Sequence, residues 1–457
     1  MTTTYIKRVS LLICLAFSVI ACDNKLDIQP RQSIDAETAL NNEQNVESAV
    51  IGAYATLGGP ALYGTNLNLI PELLASTDYV NWQGTFQGYR ELDRKTITSI
   101  NSEASRTWID AYEGINTVNN VLEALPVVED EDLRAQLEGE ALFIRGILYF
   151  ELVRLYALPW AAGTANSQAG VPLILTATKT EAQAANKVAR STVAQVYQQV
   201  IADLTRAESL LPEDNGTRAD QFSAAAFLSR VYLQQGDYTN ARDAANRVIE
   251  SEYFRLNPSV TSAFRNRNTA ESIFEIQQND QNNAGTANDG LATFYASLPG
   301  IGRGDVRVLE VFAEQYDSLD ARLNELIYEG TGRRAGRLRS GKWTDFGANI
   351  PIVRLAEMYL IRAEANVRLG TAIGDTPIND VNRIRLRAGV DPLVTATLED
   401  ILLERQLELA FEGLRVHDVK RTQGSTGDFA YNAPELVLPV PQRELDTNDQ
   451  LVQNTGY

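Results

Sequence analysis

Residues 221 to 250 constrain the fold more tightly than any other stretch of this chain. Gln221 to Gln235 and Tyr238 to Glu250 both read as helices, and only Gly236 and Asp237 stand between them. So short a link forces a helix–turn–helix. Leu228, Ser229, Tyr232, Gly236, Tyr238, Ala241 and Ala245 mark the contact: small residues let the helices approach, and tyrosine fills the gap.

These residues fall close to the small and aromatic positions of a tetratricopeptide repeat, whose period is about 34 residues. A weaker copy begins at Ile352, with Tyr359, Ala363, Ala365 and Gly370, and a helix from about Thr376 to Ala388 follows it. Divergent units of this kind predict helix pairs stacked on one another. Further helices are expected from Ile34 to about Leu57 and from Ser191 to Leu211, the latter capped by Ser191 or Thr192 with Pro212 beyond its end. Between Glu140 and Tyr156, Ala141, Ile144, Leu148, Leu152 and Leu155 recur at three- and four-residue steps until Pro159 stops the pattern. The expected fold is all-α: a tetratricopeptide-like scaffold carrying an irregular, loop-rich insertion lobe.

The chain divides accordingly. Residues 22–253 form an N-terminal region of helix pairs, broken by a Gly-, Asn- and aromatic-rich loop block from Gly58 to about Thr98 and by an extended link, Gly170 to Leu175. Residues 254–457 form a C-terminal region: an insertion at 254–349 with β-like runs such as Ser272 to Ile276, a helical part at 350–421, and an irregular tail at 422–457 that wraps the surface. A chain of 457 residues is long enough for one large core or two subdomains.

Residues 1–21 read as a signal peptide: Lys7 and Arg8 precede an apolar run, Val9 to Ala21, too short to span a bilayer comfortably. Ala21 before Cys22 resembles a lipobox, so Cys22 is the expected lipidation site and membrane anchor. Cys14 and Cys22 are the two cysteines of the chain, which leaves the mature domain without a disulfide or a cysteine metal site. Formal charge is 41 − 59 = −18, and 39 − 59 = −20 once Lys7 and Arg8 are removed. Such a surface repels a phosphate backbone, so nucleic acid is excluded as a partner.

Catalytic readings fare poorly. Glu404, Glu408 and Glu412 stand four residues apart on one helix face, which suggests paired carboxylates for glycoside hydrolysis. Arg405, Arg415, Lys420 and Arg421 lie close enough in sequence to neutralise them, and a buried charge network fits better. His417, the one histidine, has neither the cysteine ligands for zinc nor an evident nucleophile. Gly58-Gly59 and the glycines at 300, 302 and 304 read as turns, lacking the Lys-Ser/Thr of a phosphate loop. No cofactor or metal is expected. The loop aromatics are different: a sugar offers an apolar face to stack on a ring and a rim of hydroxyls for amides and carboxylates. Trp82, Trp343, Tyr63, Tyr79, Tyr89 and Tyr295 are the candidate binding rings, with Asn66, Asp78 and Asn81 interleaved.

Several segments together resemble the SusD/RagB family: Cys22 with Leu26 to Pro30; Glu140 to Phe150 running into Leu158-Pro159; Gly170 to Leu173; Arg190 to Val193 with Tyr197; and the repeat at Ala224 to Tyr253. Ile352 to Ala365, Asn379 to Gly389, Pro439 to Glu444 and Asn448 follow in the family's order. The most specific segment is Glu404 to Arg421, with its Glu-Gly-Leu-Arg core at 412–415. The resemblance implies a non-enzymatic outer-membrane lipoprotein that binds a glycan or oligosaccharide at the cell surface. It also implies delivery of that ligand to a TonB-dependent SusC-type barrel. The alternatives are a helical-repeat adaptor that binds proteins alone and a secreted glycosidase.

Overall fold

In the computed structural model residues 39–457 are described. The signal peptide, Cys22, Leu26 to Pro30 and the start of the first helix at Ile34 lie outside the described residues. The scaffold is built from α1 (Glu43–Leu57), α2 (Asn66–Leu74), α3 (Gln87–Arg94), α4 (Ser102–Ala124), α5 (Glu131–Tyr156), α6 (Val193–Leu210), α7 (Gln221–Gln235) and α8 (Tyr238–Glu250). After the insertion come α9 (Leu355–Leu369), α10 (Pro377–Arg387), α11 (Leu398–Glu408) and α12 (Arg415–Arg421). The helices stack in series: α1 on α4, α4 on α5, α5 on α6, α6 on α7, α7 on α8, α8 on α9, and α9 on α10 and α11. Among the described residues no helix is long and apolar enough to cross a membrane.

The expected pair forms as α7 and α8. Asp220 caps α7 by accepting the Ser223 N–H at 2.7 Å. Gly236, at φ 73°, ends the helix in the left-handed region where a Cβ is disfavoured, and Asp237 caps α8. The contact face is small, as the pattern predicts: Ala224, Ala225, Ala226 and Ser229 on α7 and Ala241, Ala244 and Ala245 on α8 are all buried. α6 starts behind a Thr192 capping box. The weaker copy differs at its start, where Ile352 lies in a strand and the helix begins at Leu355.

The block from Gly58 to Thr98 is more ordered than a loop. It holds α2, β1 (Val80–Trp82) and α3. α2 escapes the pattern search because every residue in it is buried, which erases the amphipathic period, and because Pro71 lies within it. The insertion forms β2 (Ser272–Ile276), β3 (Val306–Val308), β4 (Ile327–Glu329) and β5 (Leu338–Ser340), and β6 (Ile350–Arg354) leads into α9. The strands pair as antiparallel two-stranded sheets, β1 with β3, β2 with β6 and β4 with β5. The tail does more than wrap the surface: Leu436, Val437, Leu438 and Val440 are buried, and the Leu438 N–H donates to the Leu155 carbonyl at 2.8 Å.

The acidic stripe is structural, with partners other than its sequence neighbours. α11 ends at Glu408, and Phe411 (φ 67°) with Gly413 (φ 79°) turns the chain before α12, so Glu412 lies off the helix. Glu404 pairs with Arg322 at 2.7 Å, Glu408 with Arg387 at 2.5 Å, and Glu412 with Lys342 at 2.6 Å and Arg354 at 2.8 Å. Arg354 also pairs with Glu271 at 2.6 Å, which fastens the insertion to α11. Arg405 and Arg421 instead hold Asp418, Glu357 and Glu364. Arg387, Arg354, Arg322 and Lys342 overcome burial and keep the Glu408 carboxyl well below its ordinary range.

Candidate functional site

The six candidate rings all point inward. Tyr63 donates to Glu151 Oε1 at 2.9 Å. Tyr79 stacks on Phe411 at 5.3 Å, and its hydroxyl accepts the Phe411 N–H at 2.6 Å. Tyr295 leans on the same Phe411 ring, fully buried. Trp343 donates from Nε1 to the Phe411 carbonyl at 2.9 Å and meets Phe264 edge-on. Trp82 packs between Tyr89 (4.8 Å) and Phe294 (5.2 Å). Tyr89 donates to Asn66 Oδ1 at 2.7 Å, and Arg106 binds both of them along with Asp289. None of the six is more than 6% exposed, so the expectation of solvent-facing rings is corrected. Each ring carries roughly 150–250 Å² of mostly apolar surface, and closure of the insertion over residues 58–98 spends it on packing. Asn66 is buried in the same network, Asp78 is exposed at φ 58° just before β1, and Asn81 is half-buried.

A solvent-facing polar surface nonetheless exists where β1 meets β3. Val80, Trp82, Val306 and Val308 face the core, which turns Asn81 and its register partner Arg307 outward. Beyond β1 the chain bends through Thr85 and Phe86 into α3. Phe86 is 38% exposed, and Tyr89 and Phe294 support it edge-on at 6.3 and 5.9 Å. The Arg303 guanidinium lies 4.8 Å from its centroid and reaches Asp305 at 2.9 Å and Thr85 Oγ1 at 3.3 Å. Arg90 reaches the Gly84 carbonyl at 3.0 Å. Arg334 approaches Asp305 from the other side at 3.4 Å.

Polar capacity is left over here. Trp82 Nε1, Asn81 Oδ1, Arg307 Nε, Arg334 Nε and Arg339 Nε are buried atoms without a hydrogen-bond partner. Burial raises the Asp305 carboxyl above its usual range, against Arg303, Arg334, Arg333 and Arg339. Burial and the neighbouring Arg334 push Arg339 down to about 10. Chemically the surface offers one open ring, one amide and several guanidiniums, a set suited to holding a polar ligand. Arg303 and Phe86 were missed as a pair because 217 residues separate them and only the β1–β3 ladder joins their segments.

A second groove, about 540 Å³, is walled by Trp108, Tyr112, Pro172, Ile174, Lys187 and Asn448. Its Tyr112 hydroxyl already donates to the Pro172 carbonyl at 2.7 Å, and Trp108 is buried, so it offers a ligand fewer free groups.

Comparison with known proteins follows the fold closely. Residues 24–233 match a family described as starch-binding and associating with the outer membrane, and residues 339–457 match the SusD family. The SusD-like protein P2 of Formosa agariphila is 26% identical, over 97% of this chain and 98% of its own. The starch-binding protein SusD of Bacteroides thetaiotaomicron is 24% identical over the whole of both chains. A crystal structure of a SusD superfamily protein from the same species superposes with a TM-score of 0.81 at 26% identity, covering 90% of this chain and 99% of that one.

Proposed function

The chain belongs to the SusD family, and from that premise we propose that it captures a nutrient glycan at the cell surface without transforming it. Acylation at Cys22 anchors it to the outer membrane, and a TonB-dependent barrel of the SusC type receives the ligand. The observation that carries this reading is the Phe86 ring, 38% exposed with Arg303 over it at 4.8 Å, which follows closely on β1, where Asn81 and its register partner Arg307 turn outward. A pyranose face stacks on such a ring while its hydroxyl rim meets the amide and the guanidiniums. A starch-binding relative and the description of the matching family support the ligand class. Of the residues first singled out, Asn81 and Asp78 keep ligand-facing roles. Tyr89 supports Phe86 with Trp82 packed behind it, while Asn66, Tyr63, Tyr79, Tyr295 and Trp343 fix the frame.

The test is calorimetric titration with a glycan panel. Phe86→Ala combined with Arg303→Ala weakens binding at least tenfold, about 1.4 kcal/mol, at a temperature where far-ultraviolet circular dichroism shows the variant fully folded. Undiminished affinity in that variant overturns the site. Release of reducing ends from a bound glycan favours the glycosidase alternative. Absence of glycan binding together with tight capture of the barrel favours the adaptor.

A further inference from the structure

Resting on the glycan reading, we infer that the ligand is an acidic glycan, one bearing carboxylate or sulfate-ester groups, recognised by a cluster of arginines where the β1–β3 ladder meets β5 of the insertion, the two held together by Arg339, which donates to the Val306 carbonyl at 2.8 Å. The chain carries 59 acidic against 41 basic residues, yet this face is locally reversed. Arg303, Arg307, Arg333, Arg334 and Arg337 come from the insertion and Arg90 from α3. The carboxylates among them are few. Asp305 is shared by Arg303 and Arg334, Glu310 takes Arg307 at 2.6 Å, and Glu329 lies beside Gly336 on the β4–β5 hairpin. Six cations against these three anions and Asp78 before β1 leave +2 before the buried Arg339 is added, and +3 with it.

Half of that cluster is unpaired. Arg90, Arg333 and Arg337 make no ion pair with any described residue, and Arg333 and Arg337 are solvent-exposed. They are nonetheless held among the others: Arg333 adjoins Arg334, which reaches Asp305 at 3.4 Å, and the Arg337 carbonyl accepts the Gly330 N–H at 2.9 Å in the same hairpin whose Arg334 carbonyl accepts from Arg339 at 3.3 Å. Guanidiniums gathered this closely repel one another; Arg334 and Arg307 both act to depress Arg339, alongside its burial. An anion placed among them relieves that repulsion, and the planar guanidinium fork matches the oxygen pairs of carboxylate and sulfate. The open Phe86 ring lies at the edge of the cluster, 4.8 Å from Arg303, so one saccharide unit stacks while its charged substituent, or that of the next unit, meets the arginines.

Affinity electrophoresis of the full chain tests this with polygalacturonate for carboxylate, carrageenan for sulfate ester, laminarin and dextran as neutral polymers, and phosphatidylglycerol vesicles as an anionic lipid surface. Retention by one or both acidic polymers is expected, weakening about tenfold between 50 and 300 mM NaCl as the charges are screened. Arg333→Ala with Arg337→Ala, two exposed positions, lowers that retention by about tenfold. Retention by the neutral polymers alone, indifferent to salt and to the double variant, overturns the acidic ligand and leaves glycan capture standing. Acidic-polymer binding that ignores both salt and the double variant overturns the arginine cluster as its reader. Binding to vesicles with no polymer retained overturns glycan capture as well.

Discussion

Glu72 is a carboxyl placed where water does not reach. It is fully buried on α2, and Oε1 accepts the Leu414 N–H at 2.9 Å and, more distantly, the Arg415 N–H. Burial outweighs these donors and raises its pKa from 4.5 to about 7. A raised carboxyl costs stability as pH climbs: between about 4.5 and 7 the unfolded chain releases its proton while the folded chain keeps it, and above 7 the penalty is constant. Glu72→Gln preserves an acceptor for the two backbone N–H groups and removes the titration. Denaturant midpoints measured from pH 4.5 to 8 should show the variant gaining on the parent through that window, by roughly 3 kcal/mol at most. A difference independent of pH would show that Glu72 does not titrate there. Nothing around Glu72 in the sequence signals this, since the backbone N–H groups it accepts from, at Leu414 and Arg415, lie more than 300 residues away. The candidate rings mislead for the same reason: the partner of Trp343 is the Phe411 carbonyl, and local pattern carries no information about it.

At the level of elements, what was legible is what is local. The α7–α8 pair, with Asp220, Gly236 and Asp237 as its stops, is written in adjacent residues and forms where expected. α2 is hidden by burial on every side, and the β1–β3 ladder by the long stretch between its strands. How the insertion is held to the helices is equally non-local, and there Arg354 is decisive. It ends β6 and binds Glu271 from the insertion together with Glu408 and Glu412 beyond it. Arg354→Met leaves buried carboxylates short of a counter-charge, which costs about 3–5 kcal/mol. Urea unfolding checks this, with Arg206→Ala as control. That variant breaks an exposed pair with Glu138 and should cost less than about 1 kcal/mol. Equal effects from the two would mean the buried network contributes no more than a surface pair.

Across the whole molecule, total charge conceals its own distribution. A formal −18 disfavours nucleic acid as a partner, yet it hides the arginine cluster beside Phe86, because summation discards position. The same holds for the interior, where opposite charges are sorted into pairs. Glu357, Glu364, Glu408, Glu412 and Asp418 are all buried or nearly so, and nearby arginines hold each below its ordinary pKa despite burial. A depressed carboxyl contributes stability that is present above the unfolded value, near 4, and is lost as pH falls toward the folded one. Acid unfolding should therefore set in below about pH 4.5 and steepen as several carboxyls take up protons together. Arg322, Lys342 and the Glu271–Arg354 pair tie the insertion to Glu404, Glu408 and Glu412 at the end of α11, and Arg405 and Arg421 tie α11 and α12 to α9, so lobe and scaffold should unfold in one transition. Far-ultraviolet circular dichroism reports the helices, and the near-ultraviolet signal is taken as the difference between the parent and Trp343→Phe, which isolates one packed ring of the lobe from the tryptophans at 82, 108 and 160. Coincident acid midpoints from the two signals are expected. If the near-ultraviolet signal is lost at a clearly higher pH, the lobe detaches before the helices melt, and the ion pairs do not couple the two.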